Sequence, residues 1–386
     1  MPPTVFSRNV LGAATRALVI GVGHYPSLPG GGGPQMQNPE GLKQLESPPV
    51  SAREFAQWLI ENYRSDARPL ATVQLLLSER HPAAFAYQAD GAAVVATPQE
   101  ANMATVKQAI RGWYELGNHN PDDLMLFYFC GHGVSEGALT ALMMSDFGSE
   151  PMALMEGALD FHRFHAGMED CQARHQCYFI DACRLPSTLL RRFDHAGDPV
   201  LQPGARPSPD GRVRLGPKFM STLPGEASHA QPGKPSLFTG ALLEALNGAG
   251  AGDEDGGDWI VKTNRLHAAM EYLVKEIIAE KGWEVGQQTI TDGMQDLPLN
   301  TLERPIVPVS LTVTPKEAHI EATWLCTDGN GIDLQRDADL SPWNFRVPVG
   351  SYRFQASFSS PQYAQLVRNE IVRPPYVLRS LQVMTA

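Results

Sequence analysis

The chain has 386 residues, of which 43% are hydrophobic and 19% are charged. This composition is typical of a globular protein, and the length favours two domains over one. The formal net charge of −11 argues against a nucleic-acid backbone or an anionic membrane as the main partner, because both carry negative charge.

The first half of the chain alternates strand-like apolar runs with helical patterns. "TRALVIGV" (15–22) predicts a buried strand, and the helical pattern that follows begins near Ser47, just before Pro48. "TVQLLLS" (72–78) predicts the second strand. The next helix is predicted to begin at Thr97, because Thr97 and Glu100 have capping-box spacing.

Two further strands complete this series. "DLMLFYFCGHG" (123–133) is continuously apolar, as expected of a strand covered on both faces. A helical pattern over 158–174 leads to "CYFIDAC" (177–183), the fourth strand. This βαβαβαβ order predicts an α/β fold with a mostly parallel sheet flanked by helices, and chemistry at the carboxyl ends of its strands.

The second half of the chain changes character twice. Residues 188–217 are rich in Pro, Gly and Arg and predict an exposed segment, after which strand and helix patterns return until about residue 300. From there, short alternating runs separated by turn residues predict a small all-β sandwich over 305–386. We therefore expect an α/β domain over residues 1–300 and a β-sandwich-like domain over 305–386.

Cysteine usage and the amino terminus indicate the compartment. An odd number of scattered cysteines is no disulfide framework and fits a reducing compartment; they are Cys130, Cys171, Cys177, Cys183 and Cys326. The amino terminus lacks the plan of a signal peptide, and no apolar run reaches the roughly 18 residues of a membrane span. We expect a cytoplasmic protein with no membrane partner.

The two most informative side chains follow the third and fourth strands. His132 lies between two glycines just past one strand, and Cys183 lies at the end of the other. A thiol is mostly protonated at neutral pH, so a nucleophilic Cys183 would need a base, and His132 could supply it. The N–H groups of Gly133 and Cys183 could hold the oxyanion. By itself, a cysteine that ends an apolar strand is more often a core residue, but the pair favours catalysis.

The motifs resemble those of a known family. "ALVIGVGHY", "LMLFYFCGHG", "CYFIDACR", "SLFTGALLEAL" and "GQQT" are similar, in order and spacing, to caspase-like cysteine proteases of the metacaspase, paracaspase and orthocaspase branch, over residues 15 to about 295. The resemblance implies a caspase-hemoglobinase fold, a His132/Cys183 dyad and no metal in catalysis. It also implies a thiol protease made as a zymogen, in many prokaryotic relatives an effector of antiviral defence or cell death.

Within the family, the residue two positions before the cysteine relates to specificity. The branch with Asp there cuts after Arg or Lys, which implies that Asp181 binds a basic P1 side chain. Ser51 stands where basic-specific relatives have a second acid, and Glu226 resembles an acidic position that some relatives contribute. The alternative is that Asp181 only accepts hydrogen bonds from local donors.

In the family, the segment corresponding to 188–217 is a linker whose cleavage often matures the enzyme. Five arginines are therefore candidate self-cleavage sites: Arg191, Arg192, Arg206, Arg212 and Arg214. A solvated loop without processing is an equally good interpretation of the composition.

Two alternative sites involve metals. The ligand types of zinc occur at His162, His165, Cys171, His175 and Cys177, but the predicted helix and strand would make these side chains diverge. The acidic loop over 252–258 could bind calcium, which activates some metacaspases, although a solvated loop is the more common behaviour of a charge run. We expect no cofactor.

The sequence thus predicts a cytoplasmic cysteine endopeptidase that cleaves a partner protein after Arg or Lys, with a regulatory protein or activating complex as a possible further partner. One alternative is a catalytically silent caspase-fold scaffold that binds partners through the β-rich domain. Another is a separase-like protease with the same dyad and different partners.

Overall fold

A computed structural model describes most of the chain: residues 3–136, 139–183, 190, 196–201, 214–221, 233–254, 257–282, 289–293, 295–329 and 331–384. The elements up to residue 182 are β1 (Thr4–Ser7), β2 (Thr15–Val22), α1 (Ser47–Glu61), β3 (Leu70–Ser78), β4 (Phe85–Ala89), β5 (Ala92–Ala96), β6 (Gln99–Glu100), α2 (Met103–Gly117), β7 (Leu124–Gly131), β8 (Gly133–Glu136), β9 (Leu139–Met143), β10 (Ala158–Asp160), α3 (Phe161–Met168) and β11 (His175–Ala182). The elements that follow are β12 (Lys218–Met220), α4 (Leu237–Glu244), β13 (Ala251–Asp253), β14 (Trp259–Lys262), α5 (Thr263–Lys281), β15 (Ile290–Asp292), β16 (Pro298–Leu302), β17 (Ile306–Thr314), β18 (Ala322–Thr327), β19 (Asp333–Arg336), β20 (Trp343–Pro348), β21 (Gly350–Phe358), β22 (Leu366–Val372) and β23 (Val377–Gln382).

The chain divides into two compact units. The first comprises Met1–Leu243 and Met270–Leu297, and the second, here called the β-rich unit, comprises Glu244–Ala269 and Pro298–Ala386. This division differs from the predicted boundary between residues 300 and 305. The physical reason is long-range pairing: β14 pairs antiparallel with β13 and with β16, so that residues distant in sequence share one small sheet.

An eight-stranded sheet is the centre of the first unit. Its order is β1-β3-β2-β7-β11-β12-β15, with β6 beside β3. Strands β3, β2, β7, β11 and β12 are parallel, and β1 and β15 add antiparallel edges. The predicted mostly parallel sheet is therefore confirmed.

The two central strands show why the pattern was continuous in apolar residues. Every residue of β7 is buried, and so is every residue of β11 except His175 at its start. Apolar side chains cover both faces: Phe164 of α3 packs against Phe127 on one face, and Phe55 of α1 packs against Tyr128 on the other. The two strands deliver the residues that follow them to one edge of the sheet.

Helix starts were predicted with mixed success. α1 begins at Ser47, as predicted, with prolines in its first turn. The predicted capping box at Thr97 and Glu100 is wrong, because Glu100 lies in the short strand β6. α2 begins six residues after Thr97, where the side chain of Asn102 accepts a hydrogen bond from Thr105 N–H at 3.0 Å.

The carboxyl-terminal part of the β-rich unit is a sandwich of two sheets. One sheet has the order β20-β17-β23 and the other β19-β18-β21-β22. Their facing side chains share one apolar core, in which Leu311 of the first sheet and Trp324 and Phe354 of the second are buried. This is the architecture that the alternating pattern predicted over 305–386.

Candidate active site

The register of β7 and β11 places His132 and Cys183 side by side. The two strands are parallel neighbours, and Gly131 of β7 pairs with Ala182 of β11. His132 and Cys183 are the next residues of each chain segment, so both emerge at the carboxyl edge of the sheet. A Cβ atom on Gly133 would lie 2.8 Å from Cys183 O and 2.9 Å from Ala182 Cβ. The approach of the two strand ends therefore requires glycine at position 133.

His132 is held by main-chain and side-chain groups of a loop that follows β2. Its Nε2 lies 2.6 Å from the carbonyl oxygen of Lys43, and its backbone N–H donates to the Tyr25 hydroxyl at 2.8 Å. The Tyr25 and His132 rings lie 5.0 Å apart. A carbonyl oxygen only accepts hydrogen bonds, so Nε2 carries the proton and Nδ1 carries the lone pair. Nδ1 is thus the ring nitrogen that can accept a proton.

Burial keeps the imidazole neutral. It lowers the pKa of His132 from an ordinary value of 6.5 to about 4; the hydrogen bond to Lys43 opposes this shift, and the Lys43 charge adds to it. Burial also raises the pKa of Tyr25, whose hydroxyl stays protonated at neutral pH. At pH 7 the base form of His132 therefore predominates, as proton abstraction requires.

Cys183 differs from the other cysteines in exposure. The other four are buried, whereas Cys183 is half-buried. Burial raises the pKa of Cys171 to about 11 and of Cys326 to about 12, and raises the pKa of Cys130 and Cys177 further above the ordinary value. High pKa values and burial make these four thiols poor nucleophiles, whereas Cys183 is partly exposed to solvent.

The carboxylate of Asp181 accepts hydrogen bonds from its surroundings. Its Oδ2 accepts from the Ser236 hydroxyl, from the Thr239 hydroxyl at 2.9 Å and from the Cys130 thiol at 3.3 Å. Asp181 is buried, with 2% of its surface exposed. These contacts support the alternative in which Asp181 satisfies local donors. Ser51 joins the same cluster, because its hydroxyl accepts from Ser236 N–H at 3.0 Å.

This cluster fixes the start of α4. The Ser236 hydroxyl accepts from Thr239 N–H at 3.0 Å, which is an N-cap contact. The hydroxyl oxygen of Tyr128, on β7, lies 2.6 Å from the Thr239 hydroxyl oxygen. Since the Thr239 proton goes to Asp181, Tyr128 is the donor in that pair. The network therefore ties α4 to the ends of β7 and β11.

One of the five candidate self-cleavage sites lies in the described residues. Arg214 precedes Leu215, whose N–H donates to Arg174 O at 2.9 Å and whose carbonyl accepts from Gln176 N–H at 2.7 Å. A protease binds its substrate as an extended, accessible segment, so this pairing counts against cleavage after Arg214 in the folded protein. The remaining candidates, and the predicted specificity residue in the later loop, lie outside the described residues: Arg191, Arg192, Arg206, Arg212 and Glu226.

The proposed metal ligands of the 162–177 region do not converge. His165 packs against the Tyr178 ring at 4.9 Å, and His175 Nε2 lies 3.0 Å from a nitrogen of Arg68, which disfavours a bound cation. No group of three His, Cys, Asp or Glu side chains with metal-binding geometry occurs in the part of the chain that the structure describes. Within the same part, no helix has the length and apolar character that crossing a membrane requires.

Two residues of the site were not predicted from the sequence. Tyr25 lies just after the carboxyl end of β2, and that position was a usable indication because such ends line the active edge of parallel sheets. Lys43 contributes its main-chain carbonyl, which every residue type carries. No side-chain pattern could therefore have identified it.

Comparisons with known proteins add a family. The caspase domain family matches residues 14–286. A protein of Sinorhizobium fredii described as uncharacterized protein y4kE is 30% identical over 246 residues, which are 59% of this chain and 68% of that protein. The crystal structure of caspase-1 from Spodoptera frugiperda aligns over 76% of this chain and 96% of that one, at 14% identity and a TM-score of 0.42.

Proposed function

Because the chain belongs to the caspase domain family, a family of cysteine peptidases, we propose that it hydrolyses peptide bonds with His132 and Cys183 as its catalytic dyad. The observation that carries the proposal is the pairing of Gly131 with Ala182, since it sets the next residues of two parallel strands beside each other. The half-buried state of Cys183 and the neutral state of His132 support it.

The proposed reaction follows from these groups. Cys183 Sγ attacks the scissile carbonyl while its proton passes to His132 Nδ1, and the oxyanion is held by the N–H groups of Gly133 and Cys183. The tetrahedral intermediate then expels the amine, which takes the proton from His132. Water, deprotonated by the same Nδ1, hydrolyses the thioester and restores the thiol. Each cycle consumes one water molecule and leaves the dyad unchanged.

We further propose that the substrate is a partner protein cut after Arg or Lys, in defence or cell death. The support for the basic P1 residue is the position of Asp181, two residues before Cys183, where the Arg- and Lys-specific branch of the family also has Asp. A guanidinium bound there would compete with the Ser236, Thr239 and Cys130 donors on Oδ2. Ser51 contributes a hydroxyl in place of a second acid.

The test is a set of fluorogenic peptides with Arg, Lys or Asp at P1, given to wild type, Cys183→Ala and Cys171→Ala. We expect cleavage of the Arg and Lys peptides by wild type and Cys171→Ala, and none by Cys183→Ala, because Cys171 is a buried thiol. Equal cleavage by Cys183→Ala would refute the dyad. Preference for the Asp peptide would refute the proposed specificity for a basic P1 residue but not the dyad.

The same samples address self-processing. Mass spectrometry of the purified proteins would reveal cuts within 188–217. We expect cuts after arginines other than Arg214, in wild type and not in Cys183→Ala, because Leu215 is paired beside β11. An intact wild-type linker in an active enzyme would remove self-processing from the proposal.

A further inference from the structure

The loop between β2 and α1 carries both residues that hold His132. It spans residues 23–46 and closes at its base, where Leu45 N–H donates to Gly23 O at 2.9 Å. Tyr25 near its start and Lys43 near its end both contact His132. The position of the catalytic ring therefore depends on how the two ends of this loop are held together.

One side chain joins those two ends. The Gln44 carboxamide accepts a hydrogen bond from Tyr25 N–H at 2.9 Å through Oε1, and its Nε2 donates back to Tyr25 O at 2.9 Å. The same Nε2 lies 3.2 Å from each of the carbonyl oxygens of Leu28 and Pro29. The Gln44 carboxamide thus makes two hydrogen bonds with the Tyr25 main chain, as a residue on a neighbouring strand does. It also contacts the carbonyl groups of the turn that follows Tyr25.

We propose that Gln44 is a positioning residue of the active site, which fixes Tyr25 and Lys43 together so that both engage His132. Gln44 directly follows Lys43 in the chain, and its side-chain amide bonds to Tyr25, whereas the Lys43 carbonyl bonds to His132. A rotation of the 43–44 backbone would move the Lys43 carbonyl away from Nε2. The proton on Nε2 would then lose its acceptor, and that bond would no longer fix the ring orientation in which Nδ1 carries the lone pair.

The chemistry of the amide explains why this position needs glutamine. A glutamate would accept from Tyr25 N–H but could not donate to the three carbonyl oxygens, and its charge would repel them. A leucine would fill the space and leave the Tyr25 N–H and C=O without these partners. Both substitutions should release the Lys43 carbonyl from His132.

A matched control lies in the same loop. Gln35 is exposed, and its Nε2 donates to Gly33 O at 2.9 Å and contacts Pro26 O at 3.3 Å. It therefore stabilises the loop through the same kind of amide-to-carbonyl bonds but has no bond to Tyr25. Gln35→Leu should reproduce a general weakening of the loop without releasing His132.

The first measurement does not need catalysis. In protein labelled with ¹⁵N-histidine, the His132 Nε2–H held by Lys43 O should give a slowly exchanging imidazole resonance, assigned by its disappearance in His132→Ala. We expect the resonance to be lost in Gln44→Leu and Gln44→Glu and retained in Gln35→Leu. Retention in a folded Gln44 variant, or loss in Gln35→Leu as well, would overturn the proposal.

The second measurement rests on the proposed function. For cleavage of the best peptide, we expect kcat of Gln44→Glu to fall by about 10- to 100-fold with KM within about two-fold of wild type, as misplacement of a catalytic group predicts. Gln35→Leu should keep kcat within about two-fold. If wild type cleaves no peptide, the proposed function fails, while the resonance test still decides the role of Gln44.

Discussion

The ends of β7 and β11 hold their polar residues in different ways. At the end of β7, His132 is held by a main-chain carbonyl and a tyrosine hydroxyl from one loop. At the end of β11, the Asp181 carboxylate is held by two hydroxyls and a thiol of other elements. In the first arrangement Nε2 of His132 is bonded and the lone pair of Nδ1 can accept a proton. In the second, Oδ2 of Asp181 accepts all three hydrogen bonds. Both side chains are buried, so the two strand ends differ in their hydrogen-bond partners and not in burial.

The two strand ends also differ in how their hydrogen bonds depend on the sequence: His132 bonds to a main-chain carbonyl, whereas Asp181 bonds to side chains. A carbonyl oxygen survives most substitutions at position 43, so the contact to His132 should depend on the backbone of the loop. The hydroxyl donors to Asp181 disappear when Ser236 or Thr239 is replaced by an apolar residue. Variants at the two strand ends should accordingly lose different properties: catalysis at β7 and stability at β11.

The largest expected effect is on catalysis at the end of β7. In His132→Ala, the thiol of Cys183 loses the base that takes its proton, so kcat/KM should fall by about 10³-fold. Initial rates on the best peptide measure this. His162→Ala is the control, because His162 is exposed on α3 and should keep wild-type rates. Comparable rates in the two variants would contradict the assignment of His132 as the base.

The next effect is on stability at the end of β11. Asp181→Ala leaves two buried hydroxyls and a thiol without their acceptor, so the free energy of unfolding should fall by about 3 kcal/mol. Urea unfolding followed by fluorescence measures it. Asp122→Ala is the control: the Asp122 side chain is 59% exposed and pairs with Arg174 at 3.3 Å, so its loss should cost less than about 1 kcal/mol.

Asp181→Asn sharpens the same comparison, because it keeps the size of the side chain. If the carboxylate binds a basic P1 residue, KM should rise for the Arg and Lys peptides more than for the Asp peptide. If it serves only the local donors, the three peptides should be affected alike. If Asp181→Ala is as stable as wild type but no longer cleaves the Arg and Lys peptides, Asp181 would serve substrate binding and not stability. That result would contradict the proposed difference between the ends of β7 and β11.

Much of the catalytic edge could be predicted from the sequence because local composition determines it. Continuous apolar runs identify strands that are covered on both faces, and their order gives a parallel sheet. The carboxyl ends of β7 and β11 then bring His132 and Cys183 together, as the register of Gly131 with Ala182 reflects. The caspase-like family and fold class were predicted on these motifs, and the match over residues 14–286 confirms the family.

What could not be predicted depends on long-range pairing or on main-chain groups. The Lys43 carbonyl has no side-chain signature, and its position depends on a loop closed by Gln44. The division into two compact units differs from the predicted boundary because β14 pairs with β16 across the whole of α5. The capping box failed because pairing of Glu100 with Leu77 of β3 outweighed a local helix preference. Local preferences predict an element less well where distant partners compete for the same residues.

The smallest expected effect is a near absence of pH dependence between pH 7 and pH 5.5. Burial lowers the pKa of His132 to about 4, so the base stays neutral over this range, and kcat/KM should change by less than about two-fold. With an ordinary pKa of 6.5, the neutral fraction and the rate would fall by roughly ten-fold at pH 5.5. Initial rates on a peptide without other titrating groups measure this, and a fall near pH 6.5 would contradict a buried base.

Unfolding at low pH would also reduce the rate. Its pH dependence follows from the lowered pKa values of the buried histidines. Burial also lowers the pKa of His165 and His175 to about 4, so with His132 they contribute stability that is complete above pH 6.5 and is lost as the pH falls towards 4. Near-ultraviolet circular dichroism at each pH separates the two processes. A rate that declines while the dichroism is unchanged would place the titration at the dyad, whereas a joint decline below pH 5 would place it in the fold.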